Sequence, residues 1–191
     1  MKKITFWLMT IKIVTSILCG ITGVLFGAWL CNEMQNVGLS IQRAGESLVA
    51  GGVTALLGVR ARIEWLRRHA LAVIWISGMV FTTDSLLVLT GNVWAILAMS
   101  VGVTAAVMVV HWTVVSNLID NIFIGDNRTM LNNRLSGALM LSGAVGCAIG
   151  GLLNPDPITM GTIMLIESFI DLCLTLKVVK LMLSYLKENG K

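Results

Sequence analysis

Long apolar runs separated by short polar clusters dominate this chain. Six of the runs extend over about 20 residues or more, which is the length that an α-helix needs to cross bilayer hydrocarbon at about 1.5 Å per residue. The pattern predicts an all-α fold with six transmembrane helices, at residues 4–30, 37–59, 70–89, 93–119, 134–153 and 158–183. We therefore expect the whole chain, residues 1–191, to form a single polytopic membrane domain.

The second apolar run is the least regular of the six. Its uninterrupted part, residues 48–59, is too short to cross a bilayer, so a spanning helix must begin near Val37 and include Arg43 and Glu46. These two residues are three positions apart and share a helix face. Such a pair is tolerated toward a protein interior or a water-filled cavity, and also at the solvated entry of a tilted helix. The sequence favours neither alternative.

The fifth run contains a face that is almost without side chains. Small residues recur at every fourth position, at Ala138, Ser142, Gly146 and Gly150. Gly143 follows Ser142, about 100° further around the helix axis. Such a face lets a neighbouring backbone come very close, and close packing is what holds helices together in lipid. Gly20, Gly23 and Gly27 predict a similar face on the first run.

Composition agrees with a membrane protein. Hydrophobic residues make up 56% of the chain and charged residues 13%, and the mean hydropathy is +0.85. The net charge of +4 comes from lysines and arginines scattered beside the apolar runs. We therefore expect the lipid bilayer as a partner and no nucleic acid.

The distribution of basic residues predicts the topology. The loop RARIEWLRRH and most other basic residues fall on one side of the six predicted spans, whereas Arg43 falls on the other. The residues on the basic side are Lys2, Lys3, Arg60, Arg62, Arg67, Arg68, Arg128, Arg134, Lys177, Lys180, Lys187 and Lys191. Because cytoplasmic loops collect Lys and Arg, both termini are predicted to be cytoplasmic in a bacterial inner membrane.

No pattern in the sequence indicates an enzyme, a cofactor or a metal site. The four cysteines have no CxxC spacing, so we expect them to be packing residues. His69 and His111 lack a GxSxG serine, a paired aspartate or an HExxH neighbour. His111 precedes Trp112, and this pair is expected to be interfacial packing.

The two acidic residues of the sixth run are the strongest candidates for function. Glu167 is about ten residues past the NPDP turn, or about 15 Å along a helix, and Asp171 follows one turn deeper on the same face. Charges this deep in a membrane are costly. The pair could bind a cation, relay protons with one carboxyl kept neutral, or pair with Lys12. Alternatively, one carboxyl is protonated and the other is bound to Lys12, which only fixes the helices.

Two further charged positions have open alternatives. Lys12 can extend its head to the interface or form an internal ion pair. Asp84 can share an outer level with Arg43 and Glu46, or lie at the wet end of the third helix near the turn at residues 90–92. The candidate residues for substrate, ion or proton coupling are therefore Glu167, Asp171, Lys12, Arg43, Glu46 and Asp84.

Residues 116–153, SNLIDNIFIGDNRTMLNNRLSGALMLSGAVGCAIGGLL, resemble the join between the fourth and fifth helices of major facilitator superfamily transporters. In that family a helix ends in an acidic residue, a short loop has an Asn/Arg pattern, and regularly spaced glycines follow. The comparable residues here are Asp120, Arg128, Asn132, Gly143, Gly146, Gly150 and Gly151. The Arg-rich loop after Gly58 is also similar, although the family's loop aspartate is missing from GGVTALLGVRAR.

The resemblance implies one six-helix half of such a transporter, with three helices and an inverted copy of three. The family normally has two halves, so this chain would form a homo-oligomer or join a partner membrane protein. The predicted function is a half-size unit that moves a small solute as a dimer. The alternative is a non-transporting membrane protein, such as an accessory subunit or an immunity or exclusion factor of a mobile element, which the short length favours.

Overall fold

The computed structural model describes residues 1–58 and 60–190, and in them every regular element is a helix. The elements are α1 (Lys2–Leu57), α2 (Arg60–Arg68), α3 (Ala70–Val88), α4 (Val93–Leu97), a π-helical segment (Ala98–Thr104), α5 (Ala105–Ile122), α6 (Asp126–Gly150) and α7 (Pro157–Glu188). The predicted all-α class is confirmed. Val59, the predicted end of the second span, and Lys191 lie outside the described residues.

α1 is a helical hairpin with two arms. Gln35 has φ 55° and ψ −151°, which breaks the helix into a first arm, Lys2–Gln35, and a second arm, residues 36–57. A Cβ added to Gly38 would be 2.9 Å from Cγ of Leu30, and one on Gly27 would be 3.9 Å from Leu39. Since a straight helix would hold these residues more than 10 Å apart, the second arm must fold back along the first.

Three helices are long and apolar enough to cross a membrane: Lys2–Gln35, Ala70–Val88 and Val93–Ile122. They contain the predicted first, third and fourth spans and indicate a membrane protein. The other predicted spans, 37–59, 134–153 and 158–183, fall mainly on the second arm, α6 and α7, which are not among the three. The structure therefore supports three spans, and six spans with an inverted repeat remain a proposal.

Two helices extend beyond the predicted spans. α6 begins at Asp126, before the predicted span 134–153, and α7 extends from Pro157 to Glu188, beyond both ends of the predicted span 158–183. Because polar turns of a helix keep the same backbone hydrogen bonds as apolar ones, a helix can continue past the apolar residues that define a span. The predicted turn before the last helix is confirmed, since the Asp156 carboxylate accepts hydrogen bonds from the backbone N–H groups of Ile158 and Thr159 at 3.0 and 2.9 Å.

The small-residue face of α6 packs directly on the first arm of α1, as predicted. A Cβ on Gly146 would overlap the carbonyl oxygen of Ile17, and one on Gly150 would be 2.9 Å from that of Ile21. Gly143 contributes its carbonyl oxygen, which would be 2.6 Å from a Cβ on Gly20. The face is thus filled within the chain.

The predicted close-packing role of Gly23 and Gly27 is wrong. A Cβ on Gly23 would have nothing within 4 Å, and Gly27 has only Leu39 of the second arm near it. Gly20 is the residue of this motif that meets the opposite backbone.

Two apolar clusters form the core, and a belt of polar residues separates them along the helix axes. The first cluster contains Ile4, Leu8, Ile11, Ile74, Leu118, Val178 and Met182 among others. The second contains Ile21, Leu25, Leu30, Val88, Ile96 and Met160 among others. On α1, α3, α5 and α7 the residues between the two clusters include the charged and hydroxyl side chains of the candidate site.

Candidate functional site

The polar belt surrounds a cavity of about 480 Å³, here called the chamber. Side chains from α1, α3, α5, α6 and α7 and the end of the π segment line it. Of the predicted site residues it brings together Lys12, Asp84, Glu167 and Asp171. The chamber volume is in the range of ordinary small-molecule sites, about 300–1,000 Å³.

Glu167 and Asp171 line the chamber from α7, one helical turn apart. The hydroxyl of Thr22 on α1 donates to Oε2 of Glu167 at 3.2 Å, and that of Thr175 donates to Oδ1 of Asp171 at 3.3 Å. Each carboxyl therefore has a second oxygen that takes no part in these two hydrogen bonds. The common face expected from their spacing is present, and their role in coupling stays a prediction.

His111 faces Asp171 from α5 and is 2% exposed. Its Nε2 lies 3.7 Å from Oδ2 of Asp171, and neither ring nitrogen has a hydrogen-bond partner. The interfacial position expected for His111 is wrong, because the rotation of α5 turns the ring inward. An ionisable residue within an apolar run is itself a sign of a functional position, and this signal could have identified His111.

Asp84 is 2% exposed and lines the chamber from α3. The hydroxyl of Ser100 donates to its two oxygens at 3.2 and 3.3 Å. The alternative that placed Asp84 at the wet end of a helix is therefore wrong. Ser100 belongs to the π segment, and Thr104 at the end of that segment also lines the chamber. Short π-helical segments are frequent at functional sites, and sequence reasoning missed this one.

Lys12 lies at the edge of the chamber with its ammonium on an aromatic ring. Its Nζ is 4.4 Å from the centre of the Trp112 ring, a cation–π contact. The ion pair with Asp171, one of the predicted alternatives, is not formed. Lys12 and Trp112 also line a second cavity of about 400 Å³, here called the vestibule, together with Asp120 and Arg128. These last two form an ion pair at 2.9 Å.

Arg43 and Glu46 do not line the chamber, and their predicted common level with Asp84 stays a prediction. Both residues are on the second arm of α1, where Arg43 is exposed and Glu46 accepts a hydrogen bond from Gln42 at 2.9 Å. The second arm meets the π segment at Gly45, beside Val101. Arg43 is therefore not buried within the chain, and the solvated entry of a tilted helix stays a prediction for this pair.

The chamber contains more acidic than basic side chains. Three carboxyls, Asp84, Glu167 and Asp171, face a single ammonium, Lys12. In the described part of the chain no three His, Cys, Asp or Glu side chains are grouped so that they could hold a metal ion. The acidic side chains of the chamber can attract a cation or take up protons.

No protein-family model, no curated protein sequence and no solved structure matches the chain. The residues of the chamber are therefore the basis on which a function can be assigned.

Proposed function

We propose that this chain is a half-size, major facilitator-like membrane unit that moves a small solute as a dimer, with the chamber as its binding and proton-coupling site. The observation that carries the proposal is the convergence of three carboxyls and one histidine on one cavity between two apolar clusters. Ionisable residues within membrane segments are expensive and usually mark pathways for ions, protons or substrates.

The direction of the helices supports a six-pass arrangement. The first arm of α1 and α3 pass from the first apolar cluster to the second. The continuous stretch from α4 to α5 and α7 pass from the second cluster to the first. The second arm of α1 also returns, since Leu39 packs on the second cluster and Leu57 on the first. With α6 as a further pass, both termini lie on one side, which the basic residues assign to the cytoplasm of a bacterial inner membrane. An inverted 3+3 repeat belongs to this proposal.

The contacts of the carboxyls support coupling to protons or cations. A carboxylate in a low-dielectric region needs a proton, a cation or several donors. Glu167 and Asp171 each have one hydroxyl donor, and His111 is close to Asp171 without a hydrogen bond of its own. A cation that binds beside one of these carboxylates could replace the proton that neutralises it, so that cation binding and proton release would be coupled.

A dimer must use a surface other than the small-residue face of α6. That face is filled by α1 of the same chain, at Ile17 and Ile21. In the proposed homo-oligomer or complex with a partner membrane protein, the contact would therefore be formed by other surfaces of this chain. Crosslinking or native mass spectrometry in mild detergent tests whether a dimer forms. A monomer with no partner would count against a half-transporter.

Transport is tested with purified protein in vesicles that contain a pH-sensitive dye. A proton gradient is imposed, and potassium chloride, choline chloride, sodium acetate and glucose are added separately outside. We expect one of these solutes to change the internal pH through the parent protein and not through the double variant Glu167→Gln, Asp171→Asn. Glu188→Gln, at the exposed end of α7, is the matched control and should behave like the parent. Folded protein without any solute-dependent proton flux would contradict the proposal.

The second candidate is a non-transporting membrane protein in which the same residues fasten helices together. The bonds from Thr22 to Glu167 and from Ser100 to Asp84 join different helices and favour this candidate. Here Glu167→Gln and Asp171→Asn should preserve the cellular phenotype, whereas bulky residues at Gly146 or Gly150 should abolish it. The reverse result would favour transport.

A further inference from the structure

The structure contains an ammonium group of its own at the chamber wall. Nζ of Lys12 rests 4.4 Å from the centre of the Trp112 ring, and both residues line the chamber and the vestibule. A lysine head is a primary alkylammonium on a flexible stem. The position over Trp112 is therefore a place where the protein already binds an organic cation.

The remaining lining suits a cation with an apolar body. Phe81 adds an aromatic ring, and Met108 and Met164 add polarisable thioethers that adapt to irregular shapes. Aromatic faces attract organic cations more strongly when water is excluded. The carboxyls of Glu167 and Asp171 supply the opposite charge on one side of the cavity.

Other ligand classes fit the chamber less well. An anion would meet three carboxyls and a single ammonium. A sugar needs many free hydrogen-bonding groups, yet the hydroxyls of Thr15, Ser85 and Ser168 donate to carbonyl oxygens of their own helices. His111, with both ring nitrogens unpartnered at 2% exposure, supplies free polar atoms at one end.

We propose that the chamber binds a monovalent organic ammonium ion with an aromatic or branched apolar body, and that Lys12 competes with this ligand for the Trp112 ring. The inference rests on the proposed function, whose binding site it assigns to a substrate class. An entering cation displaces the Lys12 ammonium toward the vestibule. The acidic residue in the lining of that cavity is Asp120, which is paired with Arg128.

The test is calorimetric titration of the full chain in nanodiscs, with empty nanodiscs as the blank. The probes are benzyltrimethylammonium, neutral N,N-dimethylbenzamide and anionic benzenesulfonate, which share one aromatic ring. We expect saturable binding of benzyltrimethylammonium alone. Equal binding of the neutral probe would show that charge is not recognised, and binding of the anion or of none of the three would overturn the proposal.

Variants test the competition. Lys12→Met should tighten binding of benzyltrimethylammonium, and Trp112→Leu should weaken it, each by about 2- to 30-fold, the range of one cation–π contact. Lys177→Met is the matched control, because Nζ of Lys177 lies 3.5 Å from the centre of the Trp7 ring, and neither residue lines the chamber. It should leave the affinity unchanged. Trp112→Phe keeps an aromatic ring and should fall between parent and Trp112→Leu, which controls for a general packing defect.

An unchanged or weaker affinity of Lys12→Met for benzyltrimethylammonium would overturn the proposal that Lys12 competes with the ligand. Equal effects of Lys12→Met and Lys177→Met would show that the change in affinity comes from the net charge of the protein and not from the position of Lys12. The failure of this inference differs from that of the proposed function. Solute-dependent proton flux without ammonium binding would refute the ammonium ligand and leave the proposed transport standing. Ammonium binding without any proton flux would support the ammonium ligand and refute the proposed transport.

Discussion

The backbone of Gly146 on α6 lies directly against the carbonyl oxygen of Ile17 on α1, so that a Cβ at Gly146 would overlap this oxygen. Gly146→Leu therefore cannot be accommodated by the movement of a side chain alone. We expect it to lower the free energy of unfolding by about 1 to 3 kcal/mol or more, as overpacking does. Melting of the detergent-solubilised protein measures the effect.

Gly151→Leu is the matched control for this prediction. A Cβ at Gly151 would meet only carbonyl oxygens of its own helix, those of Cys147 and Ala148 at 3.6 and 3.7 Å. The control should melt close to the parent. Equal melting temperatures for the two variants would show that the contact between α1 and α6 contributes little to stability.

The turn of α1 at Gln35 predicts a stabilising substitution. Gln35 has φ 55°, in the region that favours glycine, and Gly125 before α6 has a similar backbone, with φ 60° and ψ −135°. Gln35→Gly should relieve strain and raise stability by about 1 kcal/mol, while Gly125→Ala should introduce strain and lower it. Thermal melting checks both variants. A loss of stability in Gln35→Gly would mean that the side chain contributes more than the strain costs.

The contact of Ser100 with Asp84 predicts a cost for removing one hydroxyl. Ser100 supplies the hydrogen bonds to both oxygens of this buried carboxyl. Ser100→Ala should destabilise the protein by about 1 to 3 kcal/mol, because the buried carboxyl loses one of the two hydroxyls, those of Ser100 and Thr104, that interact with it. Thr83→Val is the control, since the exposed Thr83 hydroxyl donates only to Met79 of its own helix. If both variants melt alike, Asp84 does not depend on Ser100.

The cap of α7 predicts a dependence of stability on pH. The Thr159 backbone N–H and hydroxyl hold the pKa of the Asp156 carboxyl below its usual value of 3.8. Because the pKa is lowered in the folded state, the stabilisation is complete above this value and is lost as the pH falls through the lowered pKa. Asp156→Ala should therefore melt below the parent at pH 7, and the difference should shrink at strongly acidic pH. A difference that is constant with pH would assign the effect to the backbone rather than to the charge.

The sequence by itself determined the helical class, the membrane character and the position of two acidic residues on one face of α7. Long apolar runs and a proline turn are local signals, and they require only the neighbouring residues to be read. Glu167 and Asp171 were recognisable for the same reason, since a charge inside an apolar run stands out wherever the helix packs. The four-residue spacing of Gly146 and Gly150 also predicted that a neighbouring helix backbone comes close to them.

Only the tertiary structure decided which charges meet. It brought His111 to Asp171 and Ser100 to Asp84, and it placed Arg43 and Glu46 outside the chamber. A membrane helix is apolar on nearly every side, so its hydropathy pattern does not specify its rotation about its own axis. That rotation is set by packing against other helices, such as α6 on α1, and it decides which polar side chains face the chamber.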